Sequence, residues 1–156
     1  MVNQIVFANS LGNNVPTLPV LTDAATSIPK GWPVIQSAPF GVACSTGMPV
    51  VGTDVVMGIS NGASTDTSTE PGTVDAHLPL PGLVYMLPAL DPTAIDTQVK
   101  YDALVGTLCV FDVSIGGVIT VDTGAVVKGG LQIVPSNISK DPGMVKFVIE
   151  SAGTYL

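Results

Sequence analysis

Apolar positions along this chain come in short runs, never in a long stripe. The clearest are NQIVF (3–7), PVIQ (33–36), TDVVMGI (53–59), LVYML (83–87), LVGTLCVFDV (104–113), GVITVD (117–122), LQIVP (131–135) and MVKFVIE (144–150). They are strand-length, rich in β-branched residues, and separated by glycine, proline, asparagine and aspartate, the residues of turns. The pattern predicts an all-β chain, folded as a compact β-barrel or β-sandwich.

The sharpest local expectation is a hairpin in CVFDVSIGGVITVD (109–122). Gly116 and Gly117 can both take positive φ, as a two-residue primed turn requires. That register sets Ile115 opposite Val118, Val113 opposite Thr120 and Phe111 opposite Asp122. Asp112 then faces Val121, and the carboxylates of Asp112 and Asp122 fall on opposite faces.

At most one short helix is expected, in LDPTAIDTQVKYDAL (90–104), with Asp91 as N-cap and Pro92 at the first helical position. Ile95 and Val99 would share its buried face. Residues 60–75, SNGASTDTSTEPGTVD, hold no aliphatic or aromatic side chain larger than alanine before Val74 and predict an exposed, mobile loop. Residues 1–22 combine one strand-like run with NSLGNNVPTLP and predict an extended N-terminal arm. Residues 23–156 are then a single β-rich domain, expected to fold without the arm.

Composition changes this picture in one respect. Only 11% of the 156 residues are charged, and the mean hydropathy is +0.53. A surface so poor in charge suits contact with other protein. The net charge is −7, all five basic residues are lysines, and arginine is absent. Arginine supplies most forked phosphate and base-edge contacts, and phosphate neutralisation drives nucleic-acid affinity. Nucleic acid is therefore excluded as a partner. Prolines interrupt the longest uncharged stretches, so no membrane-spanning helix is expected. The start MVNQIVFANS lacks the basic region of a secretory leader, and synthesis in the cytoplasm is the expectation.

Candidate chemistry is sparse. His77, the single histidine, stands two residues after Asp75 and close in sequence to Ser60, Ser64 and Ser68, but no nucleophile elbow surrounds those serines. The better reading is a histidine at a loop-to-strand edge. Cys44 and Cys109 sit in apolar surroundings and read as buried thiols. One histidine and two separated cysteines make no zinc site, and STDTSTE (64–70) lacks the spacing of a calcium loop. VKGGLQ (127–132) is a turn, not a phosphate loop. No catalytic residue, cofactor or metal ligand is assigned. Trp32, between Gly31 and Pro33, reads as an edge-of-core or subunit-contact residue.

DAATSIPKGWPVIQSAPFGVACSTG (23–47) resembles the early segment of small head-decoration, or capsid cement, proteins of tailed bacteriophages. Those carry a Pro-Lys-Gly turn into a strand and then a GVA strand. The succession YDALVGTLCVFDVSIGGVITVD, GGLQIVP and MVKFVIESAGTYL is similar in layout to their remaining strands. The resemblance implies a β-tulip-like domain, a homotrimer, and a seat on the capsid exterior in the virion, where it would stabilise the major capsid protein shell. It implies no catalytic residues. In that setting Pro29, Lys30 and Gly31 form a turn, Pro33 confines its strand to a sheet edge, and Trp32 anchors a neighbouring subunit. The arm residues Gln4, Ile5, Val6 and Phe7, with Trp32, are the expected capsid or subunit contacts. The alternative is a carbohydrate- or receptor-binding β-module of a phage fibre or spike. It would need exposed rings, for which Trp32, Tyr85, Tyr101 and Tyr155 are available. A trimeric β-fold nucleotide hydrolase is disfavoured by the missing arginine.

Overall fold

The computed structural model describes residues 4–8, 15–124 and 127–150. The fold is mostly β, with one α-helix and a closed five-stranded barrel. The barrel runs β2–β4–β3–β5–β6, from β2 (Thr17–Thr22), β3 (Pro33–Ser37), β4 (Phe40–Ala43), β5 (Val56–Ser60) and β6 (Gly72–His77). Beside it lies a six-stranded sheet, β1–β7–β11–β10–β8–β9. Its strands are β1 (Val6–Phe7), β7 (Tyr85–Pro88), β8 (Leu108–Asp112), β9 (Thr120–Asp122), β10 (Leu131–Ile133) and β11 (Met144–Ile149). One hydrophobic cluster joins the two, from Val20 and Val34 in the barrel to Leu131 and Phe147 in the sheet.

The barrel is closely packed at β4. A side chain at Gly41 would meet Val34 Cγ1 at 2.6 Å and Val20 Cγ1 at 2.7 Å, with Met57 Sδ beyond at 3.6 Å. Close packing of this kind leaves no room for an added methyl group without strain. Ala76 and Val74 complete the buried positions of β6.

The expected arm is integrated into this body. Thr17–Thr22 pairs antiparallel with β6 over six positions, and Val20 and Thr22 are buried. Val6 and Phe7 pair with Met86 and Tyr85 of β7, and Ile5 is buried. The reason lies in the partners. A short apolar strand with free backbone groups joins the nearest available edge, and β6 and β7 of the same chain supply edges. The described parts of residues 1–22 therefore form a barrel strand and a sheet strand; 1–3 and 9–14 lie outside the described residues. Pro33 also differs from expectation. It opens β3, which is bonded on both sides, by β4 and β5. The first residue of a strand tolerates proline as an edge strand does.

The hairpin forms with its register moved by one. Phe111 faces Val121, Asp112 faces Thr120 and Val110 faces Asp122. Of the two turn glycines only Gly117 has positive φ, and Val118 N–H donates to Ile115 O at 2.9 Å. The extra residue lies before the turn, where side chains take the backbone donors. Ser114 N–H goes to Asp112 Oδ1 and Val113 N–H to Thr46 Oγ1.

The helical segment is split in two. Asp91 does cap, but it starts a 3-10 helix, Pro92–Ile95. Thr97 then caps a separate α-helix, α1 (Gln98–Leu104). The break resets the phase, so Ile95 is buried while Val99 is 79% exposed. Tyr101 holds α1 to the sheet instead. Its hydroxyl donates to Val134 O at 2.9 Å and accepts from Lys146 N–H at 3.0 Å.

A column of rings links barrel and sheet. Phe7 packs edge-on against His77 and tilted against Tyr85, Tyr85 stacks on Phe147, and Phe147 meets Phe111 edge-on, with centroids 5.5–5.7 Å apart. The Tyr85 hydroxyl is buried with no hydrogen-bond partner, and burial pushes its pKa up. An unpaired buried hydroxyl carries a desolvation cost of about 1–3 kcal/mol. Tyr85→Phe is therefore expected to raise stability by about 1 kcal/mol in urea denaturation; a loss of that size would mean that the hydroxyl is satisfied in solution.

Candidate interaction surface

The structure places the expected contact residues in an intramolecular clasp. Ile5 N–H donates to Gly31 O at 2.8 Å. Gly31 has φ +77° and ends the turn begun by Pro29 and Lys30. A side chain there would collide with Gln4 Cβ, so only glycine lets Gln4 lie on this turn. Ser60 locks the other side. Its hydroxyl donates to Pro29 O and accepts from Trp32 N–H, and its backbone N–H donates to Trp32 O. Trp32 is only 8% exposed. Gln4, Ile5, Val6, Phe7 and Trp32 thus belong to one region. Ile5 and Trp32 are spent on the chain's own core, and Gln4, Val6 and Phe7 are half-buried. The apolar character of Ile5 and Trp32 that suggested a contact surface is used within the chain.

A recess of about 340 Å³ opens beside the clasp, with Lys30, Asn61 and His77 on its polar side. His77 closes β6. Its Nε2 lies 3.1 Å from Asn61 Oδ1 and its Nδ1 lies 3.4 Å from Val15 O. Its neighbours are therefore an amide, a backbone carbonyl and a phenyl ring, the setting of a structural histidine. Ser60 is committed to the clasp, and Ser64 receives Ile28 N–H at 2.8 Å. No relay from His77 to a serine is formed by these contacts.

The remaining candidates separate as well. Cys44 and Cys109 are buried free thiols, and burial pushes both up to about 12. Asp112 and Asp122 share one face of the β8–β9 pair, contrary to the expectation of opposite faces, because of the one-residue shift. Each nevertheless closes its own turn, Asp112 on Ser114 and Asp122 on Gly124. Among the described residues no cluster of histidine, cysteine and acid could hold a metal ion. No helix among them is long and apolar enough to cross a membrane. VKGGLQ is a turn at Lys128 that runs into β10.

The polar loop 60–75 is tied down, not loose. Ala25 and Ser27 hold positive φ, which turns the N–H groups of Thr26 and Ser27 together onto Asp66 Oδ2 at 2.8 and 2.9 Å. Such paired N–H groups form a concave anion site, here filled by the chain's own carboxylate. Thr22 Oγ1 donates to Asp66 Oδ1 at 3.1 Å. The Ser64 hydroxyl foremost, then the Ser27 N–H, the Thr22 hydroxyl and the Thr26 N–H, hold the Asp66 carboxyl below the usual carboxylate range. A depressed folded-state pKa adds stability above the unfolded value of about 3.9, and that stability is lost as pH falls through the folded value. Stability should therefore drop below about pH 4, and Asp66→Asn should show a shallower drop in acid melting curves. Equal slopes for both proteins would mean that the loop clamp does not depend on the Asp66 charge.

What sequence reasoning missed is the strand β2. Leu18 and Leu21 are 50% and 58% exposed, the largest aliphatic exposures on the barrel. Pro19 is also exposed, and strand alternation puts it on the face of Leu21, opposite Leu18. Beside Leu18 a recess of about 210 Å³ is lined by apolar residues, among them Val20, Met57 and Ala76. No family model matches the chain, and no curated protein or solved structure is significantly similar to it. The one available signal was TLPVLT itself, in which Leu18, Val20 and Thr22 alternate with Thr17, Pro19 and Leu21.

Proposed function

We propose that the protein is a structural virion component: a decoration, or cement, protein that binds the outer surface of a tailed-phage head as a homotrimer and stabilises the major capsid protein shell. The observation that carries this reading is the exposure of aliphatic side chains on β2 of the closed barrel, Leu21 beside Pro19 on one face and Leu18 on the other. Exposed aliphatic side chains on a surface poor in charge suit contact with protein. The resemblance of residues 23–47 to decoration proteins gives that contact its setting. Binding an expanded shell in preference to its precursor stabilises the expanded form by mass action. Three linked copies turn weak contacts into a lasting grip. The reading assigns the protein no catalytic step, cofactor, nucleic acid or membrane.

The carbohydrate- or receptor-binding alternative loses support. Trp32, Tyr85 and Tyr101 are all buried, so none offers a ring for sugar stacking, and Tyr155 lies outside the described residues.

Two measurements test the proposal together. Light scattering at micromolar concentration should report about three times 15.9 kDa. Expanded heads mixed with the protein should rupture at a higher temperature than bare heads. A monomer that leaves the rupture temperature unchanged would overturn the proposal.

A further inference from the structure

We propose that Asn61 is a site of spontaneous covalent modification: the Gly62 backbone nitrogen attacks the Asn61 side-chain amide, and water completes its conversion to a carboxylate. Asn61 and Gly62 form the one Asn-Gly pair in the chain. Nucleophile and electrophile sit on neighbouring residues, so the attack is intramolecular. Asparagine is thermolabile through this reaction. A glycine next in sequence favours it, because no Cβ crowds the attacking nitrogen.

The reaction needs only water. A bond forms between Gly62 N and Asn61 Cγ. The bond from Cγ to the amide nitrogen breaks, and that nitrogen leaves as ammonia with the proton from Gly62 N–H. Water then opens the cyclic imide. Addition at Cγ gives aspartate. Addition at the main-chain carbonyl of residue 61 gives isoaspartate, in which the main chain runs through the former side chain.

The structure leaves this pair open to attack. Asn61 is exposed just past the end of β5, and its own N–H donates to Asp75 O at 2.7 Å. The Gly62 N–H meets no acceptor among the described residues, so its attack breaks no hydrogen bond there. Nor does the fold demand glycine at 62. Its φ lies outside the left-handed region, and a Cβ would have nothing within 4 Å. Asn137 is the internal contrast. It too is exposed, but the next residue is β-branched, and Ile138 N–H donates to Gln98 Oε1 at 3.2 Å. Asn137 Oδ1 is itself held by Ser139 N–H at 3.0 Å.

The product changes the recess beside the clasp. The polar side chains there belong to Gln4, Lys30, Ser60, Asn61 and His77, and none is an acid. His77 Nε2 lies 3.1 Å from Asn61 Oδ1. Conversion therefore sets a negative charge against the chain's single histidine. The isoaspartate form also adds a carbon to the main chain between Ser60, which locks the clasp, and Ser64, whose N–H donates to Ile28 O. The charge of this recess is then set by the age of the molecule. The inference rests on Asn61 and its neighbours, and it stands apart from the shell proposal.

The test incubates the full chain at neutral pH and body temperature for weeks and follows it by peptide mass spectrometry. Conversion of amide to carboxylate is expected at Asn61, as a mixture of aspartate and isoaspartate, while Asn137 stays intact. Gly62→Ala should slow conversion about tenfold, because its methyl group crowds the nitrogen, and should melt close to the parent. In nuclear magnetic resonance the His77 ring signals should shift in step with conversion in the parent and stay fixed in Gly62→Ala. Should that variant not fold, the comparison of Asn61 with Asn137 in the unaltered chain decides. An intact Asn61 at the end of the incubation, equal rates in parent and Gly62→Ala, or conversion at Asn137 as fast as at Asn61 would overturn the proposal.

Discussion

Removing residues 1–22 is expected to abolish cooperative folding, not to release a trimmed domain. The deletion takes out β2, one of the five barrel strands, and with it six register pairs to β6. It exposes the edge of β6 and removes the buried side chains of Ile5, Val20 and Thr22. Burying an aliphatic side chain contributes about 1.5–3 kcal/mol, and removing it adds a cavity cost. Lost together with the ladder, these terms reach the whole stability of a domain, about 5–15 kcal/mol. A shorter deletion, residues 1–8, should be milder. It spares the barrel but removes Ile5 and the Phe7 ring that bridges His77 and Tyr85. Urea denaturation followed by circular dichroism separates the cases. The long deletion should show no cooperative transition, and the short one a lower midpoint. A long deletion that unfolds cooperatively near the parent midpoint would mean that β2 is dispensable.

Phe147→Ala is expected to cost about 3–5 kcal/mol, the range for a buried aromatic truncated in a core. Phe147 is fully buried at the centre of β11, which β7 and β10 flank on either side. Its ring is the middle of the column, stacked at 23° on Tyr85 and edge-on at 79° to Phe111. Such pairs contribute about 0.5–1.5 kcal/mol each beyond their burial. The loss corresponds to a fall in Tm of roughly 10 °C for a domain of this size. Phe147→Leu keeps most of the volume and should cost far less. Thermal melting of the two variants gives the comparison, and equal losses would mean that the ring contacts contribute little.

The sheet strands were legible because their apolar residues are large and contiguous. LVYML, LCVF and MVKFVI each read as a strand and became one. The barrel was harder for a physical reason. β6 reads only as GTVDAH, because Val74 and Ala76 are its only buried residues and neither is large. Pro19 hid β2 in the same way, although its position costs no ladder bond. Helical capping was visible at Asp91, but the second cap at Thr97, which turns Val99 out to solvent, was not. Gln4, Ile5, Val6, Phe7 and Trp32 were expected to meet a capsid or another subunit, and the described contacts they make are within the chain. A single sequence carries no sign of whether such contacts form within one chain or between two.

Co-sedimentation with purified phage heads tests the central claim most directly. Expanded heads and unexpanded precursors should be incubated with the protein at low salt and at several-fold higher salt, with all concentrations fixed. Exposed charges are screened beyond about 8 Å at physiological ionic strength, whereas apolar contacts and backbone hydrogen bonds are not. Decoration through an apolar strand predicts saturable binding to expanded heads, little binding to precursors, and an affinity held or raised at high salt. Absence of the protein from the expanded-head pellet, or a steep loss of binding with salt, would contradict it.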